Sequence, residues 1–360
     1  MLCLRQLSLF QFRNHAVANW DIQEKLVAIT GANGAGKTNV LDAIYYLCFT
    51  RSYFARTDAQ TVMHGAQGMR IAGRFTTTKG EVPVQCVVRE TGKKEMQVGG
   101  EPLPRFSAHM GQFPAVMVAP DDVELVMGSS EGRRKWIDTI LSQTNPEYLQ
   151  ALSQHNKILQ QRNAFLKQAG QGGTVDQGLL DVLDHQLLGP AQFIHDARKD
   201  FSAEFIPVVL AQYSQLSQGM DQLSMQYESQ LLSADYASLL AQNRSKDLLL
   251  QRSTKGIHRD DWAFGLDGFA FKVEASQGQR KSLLFAMKLA EWQYLASSLR
   301  VQPLLLLDDV FEKLDGGRMQ ALLKRVASPP FGQVFVSDTH PERLAENLQA
   351  TGCAYQLIVL

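Results

Sequence analysis

The hydrophobic pattern changes its period twice along the chain. Over residues 1–125, short apolar or alternating runs are separated by glycine-containing turns, which predicts strands. Over 130–250, apolar residues recur at helical spacing, and after about residue 255 buried-strand runs return. The pattern therefore predicts an α/β core made of 1–125 and 255–360, with a mostly helical insertion at 126–254 that forms a second lobe.

Individual runs indicate where several elements lie. Phe193, Ala197, Phe201 and Phe205 are four positions apart and form one apolar stripe of a helix, so we expect the three phenylalanines in the core. The glycine-rich segment 170–173 is expected to be the tip of a hairpin between two helices. The other predicted elements are strands at 84–88, 96–98, 115–118, 303–307, 333–337 and 355–360, and helices at 150–167 and 283–299.

Composition limits the possible functions without selecting one. The 360 residues include 36 basic and 36 acidic side chains, so a polyanion must bind a local patch and not a generally basic surface. The four cysteines form no C-x-x-C pair, which argues against a disulfide framework or a zinc cluster and fits a cytoplasmic protein. The longest apolar run, 304–307, is too short to span a membrane, and the N-terminus lacks the apolar segment of a secretory signal.

A glycine-rich segment near the N-terminus carries the most specific chemistry. Residues 26–30 are typical of a buried strand and 39–47 of a helix, and the segment between them fits G-x-x-x-x-G-K-[ST]. In this context backbone N–H groups surround phosphate oxygens, the lysine reaches the β- and γ-phosphates, and the threonine hydroxyl binds Mg²⁺. The segment consists of Gly31, Ala32, Asn33, Gly34, Ala35, Gly36, Lys37 and Thr38.

Two carboxylates at the end of a later strand extend this prediction. Asp308 and Asp309 follow four leucines, and parallel strands end at the same sheet edge, so Asp308 can hold Mg²⁺ beside the loop. Asp309 is then placed to orient or deprotonate an attacking water. A second anion-binding turn, 276–279, precedes the helix at 283–299 and has two explanations: a simple helix cap, or contact with the γ-phosphate of a second copy.

Together these motifs resemble the ABC-type ATPase heads of the SMC/Rad50 class, as Walker A, signature, Walker B and, at 312–315, the D-loop. Over essentially its full length the chain is similar to the RecF family of bacterial recombination mediators. The helical insertion is short, which is also typical of this family, whereas the Rad50 arm is long. The stretches that carry the similarity beyond the ATPase motifs are 12–14, 131–138, 161–167, 256–261 and 286–291.

The resemblance implies a function and its partners. It implies an ATP-dependent homodimer that binds gapped or junction DNA, hydrolyses ATP slowly, and acts with RecR and RecO to help load RecA. ATP and Mg²⁺ are the implied cofactors, and no membrane partner is expected.

The resemblance also assigns roles to residues of the site. The implied catalytic residues are Asp309 and Lys37, and the implied metal ligands are Thr38 and Asp308. Arg13 is implied to face the phosphates. The residues implied to reach the nucleotide of a second copy are Ser276, Gly278 and Gln279. A γ-phosphate sensor stays open among Ser337, Asp338, Thr339 and His340.

Two basic clusters are candidates for DNA contact. Residues 131–167 and 244–259 each contain more basic than acidic side chains, and phosphate contacts from such clusters make binding salt-sensitive. The alternative is a solvated helix face; the resemblance favours DNA for at least one cluster. No helix-turn-helix or zinc-finger signature is present, so DNA backbone and junction shape are the expected targets. The candidates are Arg133, Arg134, Lys135, Arg162, Lys255 and Arg259.

Rival functions use the same phosphate loop. In one, the chain is a static ATP-binding DNA clamp in which hydrolysis is incidental. In another, it is an ABC-type ATPase subunit of a different complex, such as a transporter, or a P-loop kinase. A kinase has no use for the turn at 276–279, and the stretches similar to RecF argue against a transporter.

Overall fold

The computed structural model covers nearly the whole chain. The described residues are 1–170, 176–309 and 316–360, except for the side chains of 316–319 and 321. The strands are β1 (Cys3–Phe12), β2 (His15–Asp21), β3 (Leu26–Thr30), β4 (Met69–Thr77), β5 (Gly80–Val88), β6 (Lys94–Val98), β7 (Glu101–Pro102), β8 (Ala115–Val118), β9 (Leu223–Glu228), β10 (Asp261–Leu266), β11 (Phe269–Ala270), β12 (Leu304–Leu307), β13 (Val334–Asp338) and β14 (Tyr355–Val359). The helices are α1 (Lys37–Phe49), α2 (Val123–Met127), α3 (Ser130–Thr144), α4 (Pro146–Gly170), α5 (Gln177–Ser217), α6 (Tyr236–Leu250), α7 (Phe271–Glu274), α8 (Gln277–Leu299), α9 (Gly316–Val326) and α10 (Pro341–Gln349).

The chain divides into two compact units. The first combines Met1–Asp122 with Glu291–Leu360, and the second is Val123–Ala290. The second unit therefore extends further towards the C-terminus than the predicted insertion at 126–254. The reason is that β9, which lies within the predicted insertion, pairs with β10 beyond its end and joins the following residues to the helical unit.

A five-stranded parallel sheet forms the centre of the first unit, in the order β14–β3–β13–β12–β8. Every residue of β3, β8, β12 and β13 is buried. Strands of a parallel sheet are covered on both faces, which explains why they read as continuous apolar runs in the sequence. The carboxyl ends of β3, β13 and β12 therefore lie side by side at one edge.

A six-stranded antiparallel sheet, in the order β2–β1–β4–β5–β6–β7, packs with α1 in the same core. The fully buried Gln333 side chain links the two sheets of the first unit. Its Oε1 accepts the N–H of Leu4 across 2.7 Å, and its Nε2 donates to the carbonyl oxygens of Leu4 and Glu24, at 3.0 and 3.1 Å. One amide thus satisfies three backbone groups that would otherwise be buried without a partner.

The second unit consists mainly of helices α3 to α6, and α5 alone has 41 residues. A three-stranded sheet, in the order β11–β10–β9, accompanies them. None of the helices in the described ranges is long and apolar enough to cross a membrane.

The predicted α/β class is confirmed, and each predicted strand and helix overlaps an observed one, with an excess of one residue at β12, β13 and β14. One core assignment is wrong: Phe201 and Phe205 are buried, but Phe193 is 37% exposed. Over a helix of this length, a four-residue spacing drifts around the axis and leaves the buried face. Of the predicted hairpin tip only Gly170, the last residue of α4, is described, and the segment 312–315 lies outside the described residues.

Candidate nucleotide-binding site

The glycine-rich loop lies between β3 and α1. Gly34 has a φ of 84° and Gly36 a φ of 107°, conformations that residues with a Cβ rarely adopt. Lys37 begins α1 and is only 4% exposed. Its Nζ donates to the carbonyl oxygens of Gly31 and Ala32, at 2.9 and 3.1 Å, so the ammonium is folded over the loop. The exposed tip of the loop consists of Ala32, Asn33 and Gly34.

Residues from helix α1, from strand β13 and from the end of strand β12 meet beside this loop. The Thr38 hydroxyl donates to Oδ1 of Asp308 across 3.0 Å, although the two residues are 270 positions apart. Ser337, in β13, donates to the same oxygen across 2.8 Å. The structure therefore brings together the two predicted metal ligands.

The Asp308 carboxyl is buried, which changes its acidity. Burial raises its pKa to about 6, and the hydrogen bonds from Ser337 and Thr38 oppose that rise. The charge of Asp309 raises the pKa further, and Lys37 lowers it. A hydroxyl and a carboxylate are the hard oxygen ligands that Mg²⁺ prefers, so Thr38 and Asp308 fit this ion. A cation held between them would favour the ionised carboxylate.

Asp309, which directly follows Asp308, has a strained backbone conformation. Its φ of 43° is unusual for a residue with a Cβ, and such strain is often found at functional sites. Its N–H donates to Oγ of Ser337 across 2.9 Å. Of the four sensor candidates, Ser337 therefore contacts both aspartates.

The other sensor candidates are engaged elsewhere. Asp338 is 2% exposed and forms an ion pair with Arg343 at 2.8 Å. Thr339 and His340 contact each other, with Oγ1 and Nδ1 2.9 Å apart. The sequence alone does not distinguish these candidates. It does not show which side chain near the end of a strand contacts residues of the neighbouring strand.

Arg13 lies at the tip of the hairpin between β1 and β2. Its Nη2 is 2.9 Å from Oδ2 of Asp42 and also donates to Ser52 across 3.1 Å. The Asp42 side chain is fully buried and holds the guanidinium against α1. Contact of Arg13 with phosphate stays a prediction. The neighbouring Asn14 and His15 contact the glycine-rich loop itself, which the sequence analysis missed.

The turn at 276–279 begins α8 in the second unit. The N–H of Ser276 donates to Oε1 of Gln279 across 2.8 Å, and the N–H of Gln279 donates to Oγ of Ser276 across 3.3 Å. This reciprocal pair is a capping box, so the helix-cap explanation holds. Nε2 of Gln279 also donates to Asp221 across 3.0 Å. Ser276 is exposed, and Gly278 and Gln279 are half-buried, so the helix N-terminus also remains open to an anion.

Comparison with known proteins identifies the family. Residues 3–356 match the family described as RecF/RecN/SMC N terminal domain. The DNA replication and repair protein RecF of Flavobacterium johnsoniae is 37% identical over 357 residues, which cover 99% of each chain. The RecF of Cytophaga hutchinsonii is 36% identical over 99% of this chain and 94% of its own length. The chain belongs to the RecF family.

Solved structures agree with this membership. One described as the recombination mediator protein RecF-ATP in RecFOR pathway has a TM-score of 0.87 at 25% identity, covering 94% of this chain and 92% of its own. The Smc head domain of Pyrococcus furiosus has a TM-score of 0.56 at 16% identity, covering 98% of this chain and 92% of its own, and shows the shared fold. The predicted resemblance to RecF and to SMC-type ATPase heads is therefore confirmed.

Two arginines predicted to contact DNA are inside the second unit of this RecF-family chain. Arg162 is 0% exposed and forms ion pairs with Asp184 at 2.6 Å and Asp247 at 2.7 Å. Arg133 is 3% exposed and is bound to Asp261 at 2.6 Å. The prediction that these two side chains touch DNA is wrong, because a buried guanidinium held by carboxylates cannot reach a phosphate backbone.

The remaining basic candidates lie at or near the surface. Lys135 is exposed and pairs with Glu131 at 2.6 Å, and Arg259 is exposed. Lys255 and Arg134 are half-buried, and Nη1 of Arg134 donates to a backbone carbonyl 2.7 Å away. Contact of these four residues with DNA stays a prediction.

Proposed function

We propose that this RecF-family chain is an ATP-dependent DNA-binding ATPase that dimerises on ATP, binds gapped or junction DNA, and acts with RecR and RecO to assist RecA loading. The observation that supports this best is the convergence of Lys37, Thr38 and Asp308 at one glycine-rich loop. The DNA replication and repair proteins that the chain resembles support the role in repair. The related RecF-ATP structure in the RecFOR pathway supports ATP as ligand and RecR and RecO as partners.

The proposed reaction transfers a phosphoryl group from ATP to water, so most of the catalysis is positioning and charge stabilisation. The loop N–H groups and Lys37 hold the β- and γ-phosphates, with Nζ exchanging its carbonyl acceptors for phosphate oxygens. Thr38 and Asp308 would hold Mg²⁺, which neutralises charge on the phosphates. Asp309 orients the attacking water and accepts its proton, while Ser337 fixes the position of both aspartates.

Each nucleotide is proposed to lie between two copies of the chain. Ser276 of the second copy would donate to the γ-phosphate, because its Oγ acts as an acceptor in the capping box and its proton remains available. The positive end of the α8 dipole adds to this attraction. Loss of the γ-phosphate on hydrolysis removes these contacts, so the dimer is expected to open and release DNA.

Sedimentation velocity with ATP, ADP or no nucleotide, each with and without gapped duplex DNA, tests the proposal together with steady-state ATPase assays. The wild type should dimerise with ATP, and Lys37→Arg and Asp309→Asn should abolish turnover. Asp309→Asn should still dimerise, whereas Ser276→Arg should remain monomeric while binding ATP. Ser297→Ala changes an exposed serine of the same helix and should behave as wild type.

Two outcomes would contradict this function. Lone protomers at saturating Mg²⁺-ATP in the presence of gapped duplex exclude the dimer. Normal turnover by Asp309→Asn excludes the assigned catalytic residue. If Asp309→Asn lost turnover yet supported full repair in cells, the static clamp would be the better description.

A further inference from the structure

The hairpin between β1 and β2 contacts three consecutive carbonyl groups of the glycine-rich loop. Asn14 Nδ2 donates to the carbonyl oxygen of Gly34 across 3.1 Å and to that of Ala35 across 3.0 Å. His15 Nε2 lies 3.2 Å from the carbonyl oxygen of Gly36 and donates to it when the proton is on that nitrogen. Two adjacent side chains thus bind the outer surface of the loop.

The direction of these carbonyls determines what the loop presents on its other side. In a planar trans peptide, a C=O group and the following N–H point in opposite directions. The carbonyls of Ala35 and Gly36 face the hairpin, so the N–H groups of Gly36 and Lys37 point away from it. Successive N–H groups turned to one side form a concave anion site. We infer that Asn14 is a positioning residue that holds the loop in its phosphate-binding shape before nucleotide arrives.

The side chains of the hairpin lie close against the loop at Gly36. A Cβ on Gly36 would lie 2.6 Å from Oδ1 of Asn14 and 2.6 Å from Nε2 of His15, closer than real Cβ contacts. The Asn14 amide is oriented by α1, because its Oδ1 accepts from Nδ2 of Asn39 across 2.7 Å. Arg13, beside it, has a φ of 55°, so the hairpin is strained where it meets the loop.

The positioning role of Asn14 rests on the proposed nucleotide binding. It predicts how much that binding should weaken when Asn14 is replaced. Asn14 is exposed, so its substitution should leave the fold intact. Asn14→Ala removes the two neutral hydrogen bonds to the loop carbonyls together with the one accepted from Asn39, and should weaken Mg²⁺-nucleotide binding about 10-fold. Asn14→Asp should be roughly a further 10-fold weaker, because a carboxylate faces two carbonyl oxygens and repels the phosphates. Turnover at saturating ATP should change little, since Asn14 does not touch the reacting atoms.

Two measurements separate positioning from other roles. The first is titration of wild type and variants with a fluorescent ATP analogue and Mg²⁺, with steady-state kcat and KM. The second is amide hydrogen exchange of residues 34–37 without nucleotide, which should be faster in Asn14→Ala. Asn19→Ala is the matched control, because Asn19 belongs to the same hairpin, is exposed, and bonds to Ser8 across 2.6 Å.

Each outcome decides one question. Wild-type affinity and exchange in Asn14→Ala would overturn the positioning role. Weaker binding with unchanged exchange would also overturn it, because Asn14 would then act on the nucleotide directly. If the wild type failed to bind the analogue, or if Lys37→Ala bound it normally, the proposed function would fail. The exchange measurement would then decide the role of Asn14 by itself.

Discussion

Ser337 donates a hydrogen bond to Asp308 across 2.8 Å and accepts the N–H of Asp309 across 2.9 Å. This arrangement follows from the sheet order, in which β13 lies between β12 and β3. The two aspartates are therefore positioned by a side chain of the neighbouring strand in addition to their own backbone. Thr38 completes the support from the other side.

Removing the Ser337 hydroxyl should slow ATP hydrolysis more than it weakens ATP binding. Ser337→Ala removes the hydrogen bond that lowers the Asp308 pKa. It also removes the oxygen that accepts the Asp309 N–H. We expect kcat to fall about 10-fold, which is the usual size of a supporting-residue effect at a metal site. KM for ATP should stay nearly unchanged, and Ser337→Thr should retain most of the activity. Ser8→Ala, at an exposed hydrogen bond of the first unit, is the control for steady-state kinetics. Wild-type kcat in Ser337→Ala would show that the serine does not position the acids.

The link between the two sheets of the first unit should be important for stability. Gln333→Leu leaves the Leu4 N–H and the carbonyls of Leu4 and Glu24 without their buried partner. The free energy of unfolding should fall by about 3 kcal/mol, since each buried group left unsatisfied costs about 1–3 kcal/mol. Urea unfolding measures this loss. Gln302→Leu removes an exposed bond to Pro330 and should change stability by less than about 0.5 kcal/mol. Equal effects of the two substitutions would contradict the assigned role.

Substitution of Arg162 should reduce stability, whereas substitution of Lys135 should leave stability almost unchanged. Arg162→Ala leaves Asp184 and Asp247 as buried carboxylates without their shared partner, which should cost about 3–5 kcal/mol of stability. Lys135→Ala removes an exposed pair with Glu131 and should have almost no effect on unfolding. If Lys135 contacts DNA, its loss should weaken binding and reduce the salt slope by about 1. Denaturant unfolding and fluorescence anisotropy at several salt concentrations test both. An Arg162→Ala protein of normal stability with impaired DNA binding would show that Arg162 contacts DNA instead of stabilising the second unit.

The sequence predicted those parts of the molecule that depend on local pattern. The apolar run of β12, with Asp308 after it, is recognisable because a strand buried on both faces has no polar positions. The phosphate loop is recognisable because its glycine and lysine requirements are confined to eight adjacent residues.

Features that depend on tertiary contact escaped prediction. Arg162 lies among polar residues on α4 and is typical of a solvated face, although its partners come from α5 and α6. Asn14 lies at a hairpin tip, and the loop carbonyls that it contacts are 20 and 21 positions further along the chain. No local sequence pattern encodes this contact. Ser337 looks like any strand-end serine until the strand order is known.

Titration of His155 and His258, which both lie in the second unit, should make its stability depend on pH. His155 is 1% exposed, and burial together with the charge of His258 lowers its pKa to about 4. Burial also lowers the pKa of His258 to about 4, and the hydrogen bond that its Nε2–H donates to the carbonyl oxygen of Ser253 opposes that fall. Both values lie below the ordinary value of 6.5, because the folded state disfavours the charged ring.

A depressed pKa means that the unfolded chain takes up protons first as the pH falls. The stability is therefore complete above about pH 6.5 and is lost progressively down to about pH 4. Between pH 7.5 and pH 5, each histidine should remove about 2 kcal/mol from the free energy of unfolding. Urea unfolding of wild type and His155→Gln over this range should show a smaller loss in the variant by about that amount. His64→Gln, at an exposed position, should retain the wild-type pH dependence. If His155→Gln lost stability as steeply as the wild type, then His155 would be free to ionise in the folded protein, and its burial would not determine its charge.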